Sequence, residues 1–419
     1  MTRAAEPLEP RAVEALDVFV DDGTGVDQLV GRLARTALGC ELRYVSAALD
    51  SGLAVSHRLP VRVEPYVVQG VNLPPYFAGL LPEGLRMRVL VSTLKTSEDD
   101  LFTLLAAVGG DTVGAVTVAP SGAATRRHEP RVDLGSAELD FRQLLEESLG
   151  RGAGAAIDRR ALAGVQPKVS AARLTLPVRA ARTDFGECIL KLELDDLPRL
   201  VANERFFMTL AREVGVEAAR VRTVTDVHGS SALLAERFDR SRDRTSGRVL
   251  KLAQEDACQL LGRYPADKYR IALREFAEAL EVCAAPLVAR LELLRLVAFS
   301  YLIANGDLHA KNLSVRSAGG IVGLAPAYDL LSTLPYGDDR MALKLEGRDQ
   351  RLGRRDFVAF GERVGVRASA TERMLTTLVT RLGRRLADAS KPGLASIGLA
   401  ARATDHLQRT IDERCLALG

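Results

Sequence analysis

The sequence predicts an α+β protein whose strands gather in its middle and whose last third is almost wholly helical. Three observations predict it. The first third mixes short β-like runs with helical stretches. From about residue 140 to 255 the texture is β-rich with one clearly periodic helix, and beyond 256 the chain runs in long segments rich in Ala, Leu and Arg. A length of 419 residues suits two or three folded units, and 47% hydrophobic against 26% charged residues is a globular balance that excludes intrinsic disorder.

In the first third, Leu16 to Val20 and Val113 to Val118 read as strands, and the run from Asp99 to Gly109 as a helix that opens on two acids and stops at glycine. Pro120 to Asp133 concentrates Pro, Gly, Ser and charge with no apolar period and reads as a linker. In the middle, residues 168 to 178, 187 to 194 and 231 to 239 are strand candidates. The helix there is 203 to 215, where Phe206, Phe207, Leu210 and Val214 recur at helical spacing before Gly215. The expected division is an α+β module over 1–125, a β-rich lobe over 126–255 and a helical lobe over 256–419.

Composition removes several function classes. Lys plus Arg number 57 against 54 for Asp plus Glu, so no global basic field demands nucleic acid. Cys40, Cys188, Cys258, Cys283 and Cys415 are odd in number and far apart, with no C-x-x-C pair, and read as buried thiols in a reducing compartment. The first residues carry prolines and acids where a signal peptide needs an apolar run, and the stretch Leu293 to Ala304 is too short and too interrupted to span a bilayer. The expected setting is the cytoplasm.

One segment breaks the helical pattern. NGDLHAKNLSV, residues 305 to 315, follows an apolar helix and packs Asp, His, Lys and two Asn into a turn-like stretch. Asp307 and Asn312 show the D-x-x-x-x-N spacing of kinase catalytic loops, where the Asp receives the hydroxyl proton and the Asn holds magnesium. Asp329 then stands at the end of a β-like stretch, where a carboxylate would reach the metal bridging nucleotide phosphates. Lys191, with apolar residues on both sides in a strand, supplies the cation for those phosphates. A second candidate is the loop around Gly164 and Lys168, offering backbone N–H groups and a charge. No Walker loop is present, and no G-x-G-x-x-G precedes a helix. Each residue alone has a plainer reading. A loop Asp is most often a turn former, Lys191 could snorkel from a sheet edge, His309 lacks a second His at ligand spacing, and Gln254, Glu255 and Asp256 could merely cap a helix. The ordered conjunction points to ATP-dependent, Mg²⁺-assisted phosphoryl transfer.

These residues resemble a known family. GVQPK (164 to 168), ILKLE (189 to 193), NERF (203 to 206), AERFDR (235 to 240), QEDACQ (254 to 259), NGDLHAKN (305 to 312) and LAPAYDLLST (324 to 333) are similar to the motif series of HipA-family kinase toxins. The N-terminal LLPEGLR and DDLFTLLAAVGGDTVGAV resemble that family's N-terminal subdomain. The resemblance implies a two-lobed, phosphatidylinositol-kinase-like fold and a serine/threonine kinase acting as the toxin of a type II toxin–antitoxin pair. It implies Asp307 as base, Asn312 and Asp329 as magnesium ligands, Lys191 on the ATP phosphates, and Gly164, Val165, Gln166 and Lys168 as the phosphate-side loop. It further places Glu236 and Phe238 at the adenine hinge, with His309 and Lys311 beside the base. The implied substrate is an aminoacyl-tRNA synthetase, and the implied partner a small helix-turn-helix antitoxin through which any contact with operator DNA is mainly indirect. One position departs from the family. Ala161 stands where the family often carries an autophosphorylated serine, and 149 to 169 holds no Ser, Thr or Tyr, so that loop cannot accept phosphate.

Two rival readings share parts of this pattern. GDLHAKN is also similar to the loop of aminoglycoside and choline kinases, though 5% aromatic residues with no Trp suits a choline cage poorly. A catalytically silent co-repressor would not need Lys191, Asp307, Asn312 and Asp329 together.

Overall fold

The computed structural model describes residues 10–123, 139–141, 144, 173–180, 186–193, 197–243 and 245–419. Packing divides the chain into two compact units, Met1–Glu129 with Asp239–Pro265, and Pro130–Phe238 with Ala266–Gly419.

The first unit is built on an antiparallel sheet in the order β4-β3-β2-β1-β5. Its strands are β1 (Ala15–Asp21), β2 (Asp27–Thr36), β3 (Gly39–Tyr44), β4 (Tyr66–Gln69) and β5 (Val116–Pro120). Leu16, Val18 and Val20 alternate into the core with Leu33 and Leu42 from the neighbouring strands. Between β1 and β2, Asp21 Oδ1 accepts from the N–H groups of Gly23 (2.9 Å) and Gly25 (3.0 Å), whose φ values of 86° and 79° favour glycine. Helix α1 (Leu101–Val108) is capped by Asp100, which accepts from Thr103 N–H at 3.3 Å, and buries Phe102, Leu104 and Leu105. β5 begins three residues later than the sequence suggests, because Gly114 sits at φ 85° with its N–H given to Asp239 Oδ2 (3.0 Å).

Asp239–Pro265 belongs to this unit through polar anchors. Arg240 donates to the Thr112 carbonyl (2.8 Å) and pairs with Asp239 (2.8 Å), and Lys251 Nζ meets the Asp27 carboxylate at 3.0 Å. The middle strand candidate 231 to 239 therefore ends early. Its strand is Ser231–Glu236, and Asp239 is already part of the first unit.

The second unit carries an antiparallel sheet in the order β6-β7-β9-β8, from β6 (Arg173–Ala180), β7 (Gly186–Glu193), β8 (Val221–Thr225) and β9 (Ser231–Glu236). Ala232 to Ala235 are all buried, as fits an inner strand covered on both faces. Helix α2 (Leu200–Val214) starts three residues earlier than the sequence reading, because Leu200 and Val201 extend the buried stripe through Phe207, Leu210 and Val214. It ends on Gly215 at φ 93°. Helix α3 (Pro286–Leu302) opens with proline, whose missing N–H is no loss there, and runs almost fully buried toward its C-terminus. A hairpin of β10 (Ser314–Ala318) and β11 (Ile321–Leu324) turns on Gly319 and Gly320. Helices α4 (Arg354–Arg363), α5 (Ala368–Ala387) and α6 (Ala401–Leu418) complete the unit, with Arg414 donating to the Tyr301 carbonyl of α3 at 2.6 Å.

Cys40, Cys188, Cys258 and Cys283 are buried and form no disulfide, and burial pushes the thiols of Cys40 and Cys188 up to about 12. Among the described residues no helix is long and apolar enough to cross a membrane.

Candidate active site

Lys191 lies on β7 between β6 and β9, with Leu190 and Leu192 buried beside it and only 5% of its own surface exposed. A buried ammonium needs counter-charge. Helix α2 supplies one, since Glu204 Oε1 stands 2.5 Å from Lys191 Nζ. The second is the carboxylate of Asp329, which also bonds Nζ directly. Glu204 was not singled out by the sequence reading, although a signal existed. It falls at helical spacing with Leu200, Phe207 and Ala211, on the stripe that must face the core, where an unpaired acid would not be tolerated.

The Asn305–Asn312 stretch is held by its own backbone. After α3 ends, Ala304 takes φ 55° and Asn305 N–H donates to Ser300 O at 2.9 Å. Gly306 follows because a Cβ there would lie 2.7 Å from Arg340 O and 2.8 Å from Asp338 Oδ2, and its N–H donates to Thr333 Oγ1 at 2.7 Å. Asp307 is 4% exposed. Its N–H donates to Asn305 Oδ1 (2.9 Å), and its carbonyl accepts from His309 N–H and from Asn312 Nδ2, both at 2.8 Å. The Tyr269 hydroxyl reaches Asp307 Oδ1 at 3.3 Å. Because the planar amide of Asn312 is fixed through its nitrogen, its oxygen faces away from that bond. His309 is buried, its ring edge-on to Tyr269 at 5.1 Å and its Nε2 3.9 Å from Asp307 Oδ1. Lys311 is half-buried, and its carbonyl accepts from the Tyr328 hydroxyl at 2.7 Å.

Asp329 differs from the sequence expectation in its setting. β11 ends at Leu324, five residues earlier. Pro326 cannot donate to a ladder, and just beyond it an isolated parallel bridge joins Ala327 to Ala218. Asp329 itself takes φ 57°, a left-handed conformation uncommon outside glycine and better tolerated by Asp than by most residues. The segment after it is clamped. Asn203 of α2 exchanges two 2.9 Å bonds with the Ser332 peptide, and Thr333 Oγ1 donates to the Ala304 carbonyl at 3.0 Å. The NERF and LLST motifs are thus two halves of one clamp that positions Lys191, Glu204 and Asp329 against the start of the Asp307 loop.

Glu236 and Phe238 follow β9. The Glu236 carboxylate is gripped by Arg220 through two 2.8 Å bonds, and its N–H donates to Arg220 O at 2.9 Å. Phe238 packs on Tyr328 with ring centroids 5.6 Å apart, and its carbonyl accepts from Arg316 at 3.1 Å. Gly164, Val165, Gln166 and Lys168, like Ala161, lie outside the described residues.

Gln254–Asp256 forms a separate arrangement in the first unit. Asp256 caps the helix Ala257–Leu261 in a reciprocal capping box with Gln259. Glu255 instead accepts from Ser56 Oγ (2.9 Å) and His57 N–H (2.9 Å) and pairs with His57 Nδ1 (2.6 Å), a hydrogen bond that raises the His57 pKa.

Residues 16–119 match the family model described as HipA N-terminal domain, and residues 160–386 that described as HipA-like C-terminal domain. The chain belongs to the HipA family. It is 33% identical over 389 residues to Y4mE of Sinorhizobium fredii, covering 88% of this chain and 90% of that one. It is 26% identical over 394 residues to the serine/threonine-protein kinase toxin HipA of Shewanella oneidensis, covering 87% of this chain and 86% of that protein. Its fold is that of HipA in the solved Shewanella oneidensis complex of HipA, HipB and operator DNA, with a TM-score of 0.73 at 21% identity over 96% of this chain and 97% of the other.

Proposed function

We propose that this chain is an ATP-dependent serine/threonine protein kinase acting as the toxin of a type II toxin–antitoxin pair. The observation that carries the reading is the buried Lys191 ammonium shared between Glu204 and the left-handed Asp329. A cation held this way on a strand suits nucleotide phosphates, and the carboxylate beside it suits their metal. Asp307 orients the acceptor hydroxyl and takes its proton, steadied by Tyr269 and by the Asn305 bond to its backbone. Asn312 and Asp329 offer hard oxygen donors. Two such donors completed by phosphate and water oxygens suit Mg²⁺, and among the described residues no three His, Cys, Asp or Glu converge to hold a metal unaided. Bound there, Mg²⁺ supplies charge neutralisation of the phosphates. Gly164, Val165, Gln166 and Lys168 are assigned to the phosphate side on their sequence alone. Phe238, braced by Tyr328 and Arg316, is assigned to the adenine hinge with Glu236, and His309 and Lys311 to the surroundings of the base.

The partner is a small helix-turn-helix antitoxin, which carries most contact with operator DNA. The support is family membership and the solved relative, which was captured with HipB and operator DNA. The substrate class is an aminoacyl-tRNA synthetase, as the motif resemblance implies. The test is transfer of labelled γ-phosphate from ATP into a bacterial lysate by the purified protein, beside Asp307→Ala. A discrete labelled protein absent with the variant is expected, and a tRNA synthetase as that protein fixes the target. Label confined to small molecules overturns the protein-kinase reading in favour of a small-molecule kinase. Bound ATP without transfer overturns it in favour of a silent co-repressor.

A further inference from the structure

Beneath the Asp307 loop lie two polar side-chain atoms with no hydrogen-bond partner among the described residues, Ser300 Oγ on the last turn of α3 and Asn305 Nδ2. Both residues are buried, at 1% and 2% exposure. Both line the same cavity of about 10 Å³, walled otherwise by apolar side chains such as Val297, Leu308 and Met341. Ala342 and Leu343 also line it. The volume is that of a single water molecule, and the lining offers the two to four polar partners that an ordered internal water takes. A hydroxyl and an amide N–H left unpaired among such walls would be costly.

Asn305 faces two ways. Its Oδ1 accepts from Asp307 N–H at 2.9 Å, which fixes the amide orientation, because the flipped form would set a donor against a donor. Nδ2 is thereby turned from the loop, and it is the atom left without a protein partner. We propose that one ordered water is held between Ser300 and Asn305, and that Asn305, steadied by this water, is a positioning residue for the backbone of Asp307. The side chain must accept on one end and donate on the other, which asparagine does and neither aspartate nor leucine can. The positioning half rests on the reading of Asp307 as the base; the water does not.

The test uses the full chain with Ser300→Val, Ser300→Ala and Asn305→Ala. Ser300→Val puts methyl groups into the cavity and removes the hydroxyl. If the cavity holds a water, this variant has a lower Tm than the parent, and a high-resolution crystal structure of the parent shows one water bonded to both atoms. A raised Tm together with an empty cavity overturns the water site. For positioning, Asn305→Ala is expected to lower kcat by about tenfold or more while leaving the KM for ATP nearly unchanged, as loosening a catalytic group does. It should also speed hydrogen exchange at the Asp307 and His309 amides while α3 stays protected. Ser300→Ala, which keeps the Asn305 bond, should shift both readouts in the same direction by less, and serves alone if Asn305→Ala does not fold. Unchanged exchange at those amides, or an effect confined to KM, overturns the positioning role. If the parent transfers no phosphate, the kinase reading fails on its own, and Tm, crystal and exchange still decide this proposal.

Discussion

Glu204 and Glu255 are both buried glutamates inside conspicuous motifs, NERF and QEDACQ, yet their surroundings differ in kind. Glu255, in the first unit, has both oxygens engaged by Ser56 and His57, and its side chain is 7% exposed. Its work is to tie one loop to one strand. Glu204, in the second unit, pairs with a lysine that also holds Asp329, whose side chain is 32% exposed and whose backbone is left-handed. The first is a glutamate held by two neighbouring residues of one loop; the second joins one lysine to carboxylates from two further elements, one of them in left-handed backbone. A buried acid in a motif therefore does not mark a site. Convergence of charge from several elements on one buried cation is what sets the second cluster apart.

The sharpest way to break this comparison is phosphoryl transfer itself. Asp307→Ala should lower transfer by roughly 10²–10⁴-fold, the range for loss of a general base, with an unchanged circular-dichroism spectrum. Glu255→Gln should leave the rate near that of the parent. Equal losses in both variants would erase the distinction. Next, Asp329→Ala should weaken Mg²⁺-dependent ATP binding by about tenfold or more, equivalent to about 1.4 kcal/mol, when titrated calorimetrically with and without metal. An affinity unchanged in the presence of Mg²⁺ would remove Asp329 from the metal site.

Stability separates the clusters further. Glu204→Ala leaves Lys191 buried with Asp329 as its remaining counter-charge, so urea unfolding should show a loss toward the lower end of the ~3–5 kcal/mol typical of a broken buried pair. A neutral result would mean that Asp329 alone suffices. The smallest effect is pH-dependent and belongs to the first unit. The Glu255 hydrogen bond raises the His57 pKa above its unfolded value near 6.5, so the folded state holds that proton more tightly. The stabilisation is fully present below pH 6.5 and fades as pH rises through the folded pKa. Unfolding midpoints measured across that window should fall with rising pH in the parent, and that slope should vanish in Glu255→Gln.

Legibility in the sequence followed the range of the interaction. Asp307 and Asn312 could be read because five residues of chain hold them together, and the Asn312 Nδ2 bond to the Asp307 carbonyl is as local as their spacing. Helix α1 was readable from its acids and closing glycine, and Asp100 does cap it. The Tyr269 contact to Asp307 and the Asn203 exchange with Ser332 were not readable, since 38 and 129 residues separate the partners. Nor did QEDACQ disclose that only Asp256 would cap while Glu255 reached back 199 residues to Ser56.

By itself the sequence determined the α+β class, the HipA resemblance that the family models bear out, and the candidate set Lys191, Asp307, Asn312 and Asp329. Periodicity, caps and short motif spacings are local, and local physics is written along the chain. Tertiary structure alone decided that Asp239–Pro265 joins the first unit, that Asp329 sits in left-handed backbone beyond the strand, and that Glu204 joins Asp329 in neutralising Lys191. Those outcomes depend on which distant groups can share a buried charge or hydrogen bond once the core has closed, and such partners are selected by proximity in space.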